Sequence, residues 1–175
     1  AQSDFVTLCL EGFAAGAPRH PHLVFKARPL EEGRARIDRT IREGAQRFGI
    51  ARRVHFVRGG KLAQLLDAAR TAVTVNSTAG QQVLWRSLPL KAFGRAVYSK
   101  PEFVSAQPIE QFFAQPTRPD TRAYRDYRHF LLETSQVVGG FYSSQGLRAL
   151  LRQAFYSARS ERQLMACRGP WPQAA

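Results

Sequence analysis

The sequence has few cysteines and no long apolar run. Its two cysteines, Cys9 and Cys167, lie near opposite ends of the chain, outside any CxxC motif or Cys/His cluster. This pattern supports neither a disulfide framework nor a zinc site. No run reaches the roughly eighteen apolar residues of a membrane span, and the start lacks the features of a secretion signal. We therefore expect a chain without a membrane span or signal, in a reducing, cytoplasmic setting.

Methionine is nearly absent too, since Met165 is its one occurrence and the first residue is Ala1. We expect the sequence to be an N-terminally trimmed piece of a longer protein. Its 175 residues include 44% hydrophobic and 11% aromatic residues, which is enough to bury the core of one domain. The predicted organisation is a single domain over 1–160, followed by a frayed tail over 161–175.

Acidic residues are scarce, and the chain is strongly basic. Lys and Arg total 26 against 13 Asp and Glu, a net charge of +13, and the pI is about 11.0. Such a charge predicts an anionic partner, for which nucleic acid, an acidic lipid surface and a phosphorylated small molecule all qualify. Most of the basic residues are Arg, which can reflect coding bias, so the charge alone does not choose among these partners.

Short β-branched or apolar runs alternate with helical patterns. Between 33 and 48, Ile37, Ile41, Ala45 and Phe48 recur at helical spacing, and Gly49 is predicted to end that helix. Further helices are predicted over 3–16, 61–70 and 81–86, from Pro108, from a cap at Asp120, and from Ser143. Strands are predicted over 22–26, 54–57, 71–75 and 88–93. This alternation predicts a three-layer α/β, Rossmann-like domain whose central parallel sheet has four or more strands.

The loop Asn76-Ser77-Thr78-Ala79-Gly80 is the stronger of two candidate binding loops. It follows a strand of the buried type and leads into a helix, where ligands of open parallel sheets bind. Its hydroxyls and backbone N–H groups are predicted to hold a phosphate or carboxylate. The alternative is that these residues only cap the helix. The chain has neither a GxGxxG nor a GxxxxGK[ST] motif, so dinucleotide-binding and P-loop sites lose their main support.

The second candidate loop follows the first predicted strand and contains Lys26, Arg28 and Pro29. Lys26 and Arg28 lie two positions apart in an extended stretch, so both side chains can reach the same side, while Pro29 fixes the exit of the chain. Together they could clamp a phosphate. The alternative is that they are two solvated cations.

Residues for acid–base or nucleophilic catalysis are not apparent. The sequence shows no Ser/His/Asp set and no pair of carboxylates, and Asp38 is expected to pair with arginines of its helix. The four histidines are expected to be surface or satisfied core residues, and the spacing of His20 and His22 is only a weak metal signal. The catalytic residues are therefore unknown from this sequence, and no metal ligand is assigned.

Several segments, in this order and spacing, resemble the bacterial capsular-polysaccharide biosynthesis and export family. They are LVFKARPLEEG, VHFV, LLDAARTAVTVNSTAGQQVLWRSLPLKAFGRAVY and GGFYS, and the similarity extends over about residues 5–153. The most specific are the strand with NSTxG at 76–80, the LPLKAFGRAVY segment after it, and GGFYS at 139–143. Members of this family include β-Kdo transferases that build a short Kdo linker on a phospholipid.

This resemblance implies the C-terminal, donor-binding half of a GT-B glycosyltransferase. The activity implied is transfer of Kdo from CMP-Kdo to a lipid-linked acceptor, with no further cofactor. The family's Lys-x-His-Pro element maps to Lys26, Arg28 and Pro29, with Arg28 in place of the usual His. The Ser-Thr pair maps to Ser77 and Thr78, which would contact phosphate or the sugar carboxylate.

The resemblance also implies partners for the chain. The acidic catalytic residue would lie in a missing N-terminal domain, so the fragment alone is expected to be inactive. A lipid-linked acceptor implies peripheral contact with the anionic inner membrane and no nucleic-acid partner. Two alternatives stay open: the +13 charge fits a nucleic-acid-binding module, and the chain could be a non-catalytic component of the capsule export machinery.

Overall fold

A computed structural model gives the fold, and it describes residues 2–27 and 34–134 and a few helical positions between 144 and 152. The chain divides into two compact units, residues 1–125 and 126–175. The helices are α1 Gln2–Gly16, α2 Arg34–Arg47, α3 Leu62–Asp67, α4 Ala79–Trp85, α5 Ile109–Ala114 and α6 Thr121–Thr134. The strands are β1 Leu23–Lys26, β2 Val54–Val57, β3 Ala72–Thr74 and β4 Leu90–Ala92. A single 3₁₀ turn, Ala51–Arg53, precedes β2.

The four strands form two parallel pairs, which confirms the predicted α/β class and parallel pairing. In β1–β2 the register runs from Leu23 opposite Val54 to Lys26 opposite Val57, and in β3–β4 Ala72 lies opposite Leu90. The prediction of one sheet of four or more strands is wrong for the described residues, because their hydrogen bonds make two separate sheets. The alternation of strand and helix patterns indicates parallel pairing but does not specify which strands are neighbours.

One apolar cluster holds both strand pairs. The helices α1, α2 and α5 supply its buried residues, together with Ile50 before β2: Val6, Cys9, Leu10, Phe13, Ile41, Ala45, Ile50, Ile109 and Phe113. The strands supply partly buried side chains on their inward faces: Leu23, Phe25, Val54, Phe56 and Val73. Because β1, β2 and β3 all pack against this cluster, the two sheets share one hydrophobic core in the first unit.

Two glycines let α1 lie very close to α5. A Cβ on Gly12 would lie 2.5 Å from Cγ2 of Ile109, and a Cβ on Gly16 would lie 1.9 Å from the carbonyl oxygen of Glu110. Neither position leaves room for a larger residue, since carbon contacts in a packed core are about 3.5 Å or more. The approach of the two helices therefore depends on these glycines.

The predicted helix ends are largely confirmed. Gly49 ends α2 with a φ of +69°, a conformation that glycine adopts without a Cβ clash. The Asp120 carboxylate accepts a hydrogen bond from the N–H of Ala123 at 2.9 Å and so caps α6. Asp38 bonds to Arg42 and Arg58, each at 2.8 Å, which joins α2 to the end of β2. The helix predicted over 61–70 is shorter in the structure.

Some predictions lie wholly or partly beyond the described residues. The GGFYS segment at 139–143 and the tail over 161–175 are outside them. Of the helix predicted from Ser143, the structure describes a few positions between 144 and 152, and these are helical. Among the residues that the structure does describe, no helix is long and apolar enough to cross a membrane.

Candidate functional site

The candidate loop 76–80 connects β3 to α4, as its sequence predicts. The Ser77 N–H donates to Oγ1 of Thr74 at 3.3 Å, and the Ser77 Oγ accepts from the N–H of Ala79 at 3.2 Å. The N–H of Gly80 donates to the Ser77 carbonyl oxygen at 3.0 Å. Ser77 therefore makes the local capping contact that the alternative interpretation requires, while its hydroxyl hydrogen can still be donated to a ligand.

Two other polar side chains of the loop are exposed to solvent. Asn76 and Thr78 are exposed, whereas Ser77 is half-buried and Gly80 is buried. Thr78 occupies the N-cap position of α4 without a side-chain capping bond. In the described part of the chain, no hydrogen bond occupies the Asn76 carboxamide or the Thr78 hydroxyl. The loop thus presents an amide and hydroxyls that can donate hydrogen bonds to an anion or a sugar.

The buried Tyr98 supports this loop by a hydrogen bond to the loop backbone. Its side chain is 1% exposed, and its hydroxyl donates a hydrogen bond to the Ser77 carbonyl oxygen. Burial raises the pKa of the Tyr98 phenol, which favours the protonated form that this bond requires. A Cβ on Gly80 would lie 2.3 Å from Cζ of Tyr98. Glycine at position 80 is therefore needed for the ring to fit under the loop.

Gly94, which follows β4, supports the start of the same loop through a backbone hydrogen bond to Val75. Its N–H donates to the Val75 carbonyl oxygen at 2.7 Å, and a Cβ there would lie 3.1 Å from that oxygen and 3.3 Å from Cβ of Asn76. The Ser99 hydroxyl in turn donates to the Gly94 carbonyl oxygen at 3.2 Å. The segment from Gly94 to Ser99 is therefore a scaffold for the loop.

Sequence reasoning did not assign Tyr98 or Gly94 to the site. Both lie in LPLKAFGRAVY, the segment that follows NSTAG in the family resemblance, and that adjacency was the available signal. The contact itself depends on a fold that brings residues 77–80 against residue 98, which spacing along the chain does not reveal.

Lys26 lies on the other strand pair. It is half-buried at the end of β1, and its Nζ donates to the Ala27 carbonyl oxygen at 3.0 Å. The N–H of Ala27 donates to the Val57 carbonyl oxygen at 2.9 Å, which extends the pairing to the carboxyl end of β2. Arg28 and Pro29 lie outside the described residues. The structure thus gathers positions 76–80 in one loop, and the convergence of Lys26 with Ser77 on one anion stays a prediction.

Lys91 is a buried cation that the sequence analysis did not single out. It is 8% exposed in β4, donates to the Gln107 carbonyl oxygen, and places its Nζ 5.3 Å from the centre of the Phe93 ring. Desolvation lowers the pKa of its ammonium, opposed by the charge of Glu110. Its hydrogen bond ties β4 to the segment before α5, so Lys91 is assigned a structural role.

The sequence that forms this site matches a known protein family. The model of the capsule polysaccharide biosynthesis protein family matches residues 1–142, which include both strand pairs and the loop 76–80. The chain belongs to this family.

Particular relatives extend this result. The chain is 29% identical over 139 residues to the capsule polysaccharide export protein KpsS of Escherichia coli, a match covering 79% of this chain and 36% of KpsS. It is 32% identical over 144 residues to the capsule polysaccharide modification protein LipB of Neisseria meningitidis serogroup A, covering 80% and 34%. The serogroup B LipB gives the same values. The chain spans about a third of the length of these relatives. No solved structure shows significant similarity to it.

Proposed function

We propose that this chain is the donor-binding part of a glycosyltransferase that transfers Kdo from CMP-Kdo to a lipid-linked acceptor in capsule assembly. Family membership supports a role in capsule polysaccharide biosynthesis, export or modification. The finer proposal adds a reaction and a substrate. The acidic catalytic group is expected in a part of the protein outside this chain, because the match covers only about a third of each relative's length.

The geometry of the loop 76–80 is the observation that supports donor binding. It leaves β3 at the carboxyl end, where ligands bind in parallel α/β proteins, and it presents the exposed polar groups of Asn76 and Thr78 on a loop that Tyr98 and Gly94 hold by hydrogen bonds. A CMP-sugar carries a phosphate and, in Kdo, a carboxylate, and both accept hydrogen bonds from such groups. In this proposal Lys26 and Arg28 add charge to the same anion, and Arg28 holds phosphate where the family usually has His.

Titration of the chain with CMP tests the assignment. Losing a charge-assisted contact typically costs about 1.5 to 3 kcal/mol, so Arg28→Ala and Ser77→Ala should each weaken CMP binding by roughly tenfold or more. Thr78→Ala should weaken it without removing a bond within the protein. Thr117→Ala is the matched control, since Thr117 is an exposed threonine far along the chain.

Two outcomes decide the site. If Arg28 only holds phosphate, Arg28→His keeps much of the affinity for CMP. If the Ser77, Thr78 and Arg28 variants all bind CMP as well as the parent chain does, the site assignment is wrong, whatever the activity of the whole protein.

A nucleic-acid-binding function is the main alternative, favoured by the net charge of +13. Titration with CMP and with a nonspecific duplex of equal phosphate content separates the two. Saturable CMP binding with modest salt dependence supports the transferase, whereas a steep logarithmic salt slope without preference for CMP supports nucleic-acid binding.

A non-catalytic role in export is the other alternative, favoured by the description of KpsS as an export protein. Incubating the full-length protein with CMP-Kdo and a lipid-linked acceptor is the decisive assay. Formation of a Kdo-extended lipid supports the transferase, and its absence under conditions in which CMP binds supports the non-catalytic role.

Peripheral contact with the anionic inner leaflet belongs to the same proposal. Each Lys or Arg near an anionic surface contributes about 1 kcal/mol of binding, and the chain has twice as many basic as acidic residues. Co-sedimentation of the chain with anionic vesicles at low salt is the expected result. A protein that stays entirely in the supernatant contradicts it.

A further inference from the structure

Two histidines meet on the exposed face of the β1–β2 pair. The Nδ1 of His22 lies 2.8 Å from the Nε2 of His55, although the residues are 33 positions apart. The register explains the meeting. His55 lies opposite Val24, and His22 is two residues before Val24, so all three side chains point to the same side of the sheet. All three are exposed, while the alternate residues pack on the core.

The two rings meet edge to edge. Their planes differ by 19° and their centroids are 5.0 Å apart. The distance between the centroids is about equal to the 2.8 Å between the nitrogens plus the distance from each nitrogen to the centre of its own ring. Both nitrogens therefore lie near the line that joins the centroids. Two ring nitrogens therefore compete for one proton, since one must donate and the other accept. A metal ion can replace this shared proton, because neutral imidazole nitrogens are ligands for Zn²⁺, Cu²⁺ and Ni²⁺.

The spacing favours particular metals. Two nitrogens that bind one metal at about 2.0–2.1 Å are about 2.9 Å apart in a square-planar cis arrangement and about 3.3 Å apart in a tetrahedral one. The His22–His55 separation of 2.8 Å is closer to the first. Because the two nitrogens now face each other in line, each exposed ring must turn by about 45° to direct its lone pair at one shared metal. Square-planar or tetragonal sites with nitrogen ligands are typical of Cu²⁺ and Ni²⁺.

The surroundings exclude the hard cations. Within the described ranges, no group of three or more His, Cys, Asp and Glu side chains could hold a metal, so carboxylates do not gather here as Ca²⁺ or Mg²⁺ would need. The guanidinium of Arg53, two residues before His55, is held elsewhere by a hydrogen bond to the Pro18 carbonyl oxygen at 2.7 Å and by the Phe13 ring, whose centre is 4.9 Å away. The two imidazoles thus remain accessible to a metal whose other ligands are water.

We propose that His22 and His55 form a two-ligand surface site for Cu²⁺ or Ni²⁺. The site does not depend on the function proposed above, since it lies on a different strand pair from the loop 76–80. Strand pairing places both ligands in advance, so the metal meets two imidazoles on a fixed framework.

Calorimetric titration of the untagged 175-residue chain with NiCl₂ tests the site. The expected result is one Ni²⁺ per chain, with affinity reduced about tenfold or more in His22→Ala and in His55→Ala. His20→Ala is the matched control, because His20 is an exposed histidine two residues away and should leave the affinity unchanged. Equal affinity in the parent chain and both pair variants overturns the proposal, as does the absence of binding at about 1 mM Ni²⁺.

A measurement on the unmodified chain keeps the test independent of how the variants fold. Substoichiometric Cu²⁺ is paramagnetic and broadens the NMR signals of nuclei near its site. Signals of His22, Val24 and His55 should broaden first. Broadening that begins elsewhere, for example at the N-terminal amine or at His129, overturns the assignment.

Discussion

Replacing Gly80 with alanine tests how the loop 76–80 is supported. The added methyl carbon would lie 2.3 Å from Cζ and 2.4 Å from Oη of Tyr98, far inside the ordinary contact distance of about 3.5–4.0 Å. The ring cannot move aside freely because it is 1% exposed. Overpacking of this kind typically costs about 1–3 kcal/mol, whereas alanine in place of glycine in a helix gains about 1 kcal/mol. We expect a net loss of about 1 kcal/mol, and at most about 2 kcal/mol.

A double-mutant cycle separates these two contributions. In a Tyr98→Leu background the phenol ring is gone, so Gly80→Ala should be neutral or should stabilise the chain by up to about 1 kcal/mol. Urea unfolding followed by far-UV circular dichroism gives the four free energies of unfolding. The reasoning is refuted if Gly80→Ala has the same effect in both backgrounds, because the cost would then not arise from contact with Tyr98.

Three further predictions concern titrating groups. Burial raises the pKa of the Tyr98 phenol. Its contribution to the free energy of unfolding is therefore complete below pH about 10 and is lost as the pH rises through the raised pKa. Urea unfolding from pH 8 to 11 should show a steeper loss of stability in the parent chain than in Tyr98→Phe. The hydrogen bonds and charges of Arg42, and then of Arg58, lower the pKa of Asp38. The contribution of Asp38 to stability is therefore present above pH about 4 and is lost as the pH falls through the lowered pKa. Asp38→Asn should flatten the acid side of the plot of unfolding free energy against pH, and an unchanged plot would contradict the pairing. Burial raises the pKa of the Cys9 thiol to about 12, which makes the thiol unreactive in the folded chain. In a Cys167→Ser background, iodoacetamide at pH 8 should therefore label the chain in urea but not the folded chain. Rapid labelling of the folded chain would argue against a buried Cys9.

Local patterns predicted the helices better than the sheet. The spacing of Ile37, Ile41 and Ala45 predicts α2 because a helix that packs on a core needs one apolar face, and Ile41 and Ala45 are buried there. The strands were also located: β2 has the predicted ends, and the other three are shorter than predicted by one or two residues at an end. Their assembly into two pairs was not predicted, because strand pairing depends on partners that are distant in sequence and on hydrogen bonds that no local pattern specifies.

The candidate site divides in the same way. The loop 76–80 could be found from sequence because polar and small residues directly follow a β-branched run and precede a helix. The support from Tyr98 could not be found, since it rests on a close approach between distant residues. The meeting of His22 and His55 likewise requires the β1–β2 register, and the sequence marked only the weaker spacing of His20 and His22.

The glycine contacts between α1 and α5 have a consequence for the order of folding. Gly12 and Gly16 fit against Ile109 and Glu110, yet these residues are far apart along the chain, so the contact closes a long loop and carries a large entropic cost. On the ribosome, α1 emerges well before its partner helix. Until α5 is synthesised, the apolar face of α1 that includes Phe13 is not yet packed against it. That exposed surface makes the nascent chain prone to aggregation.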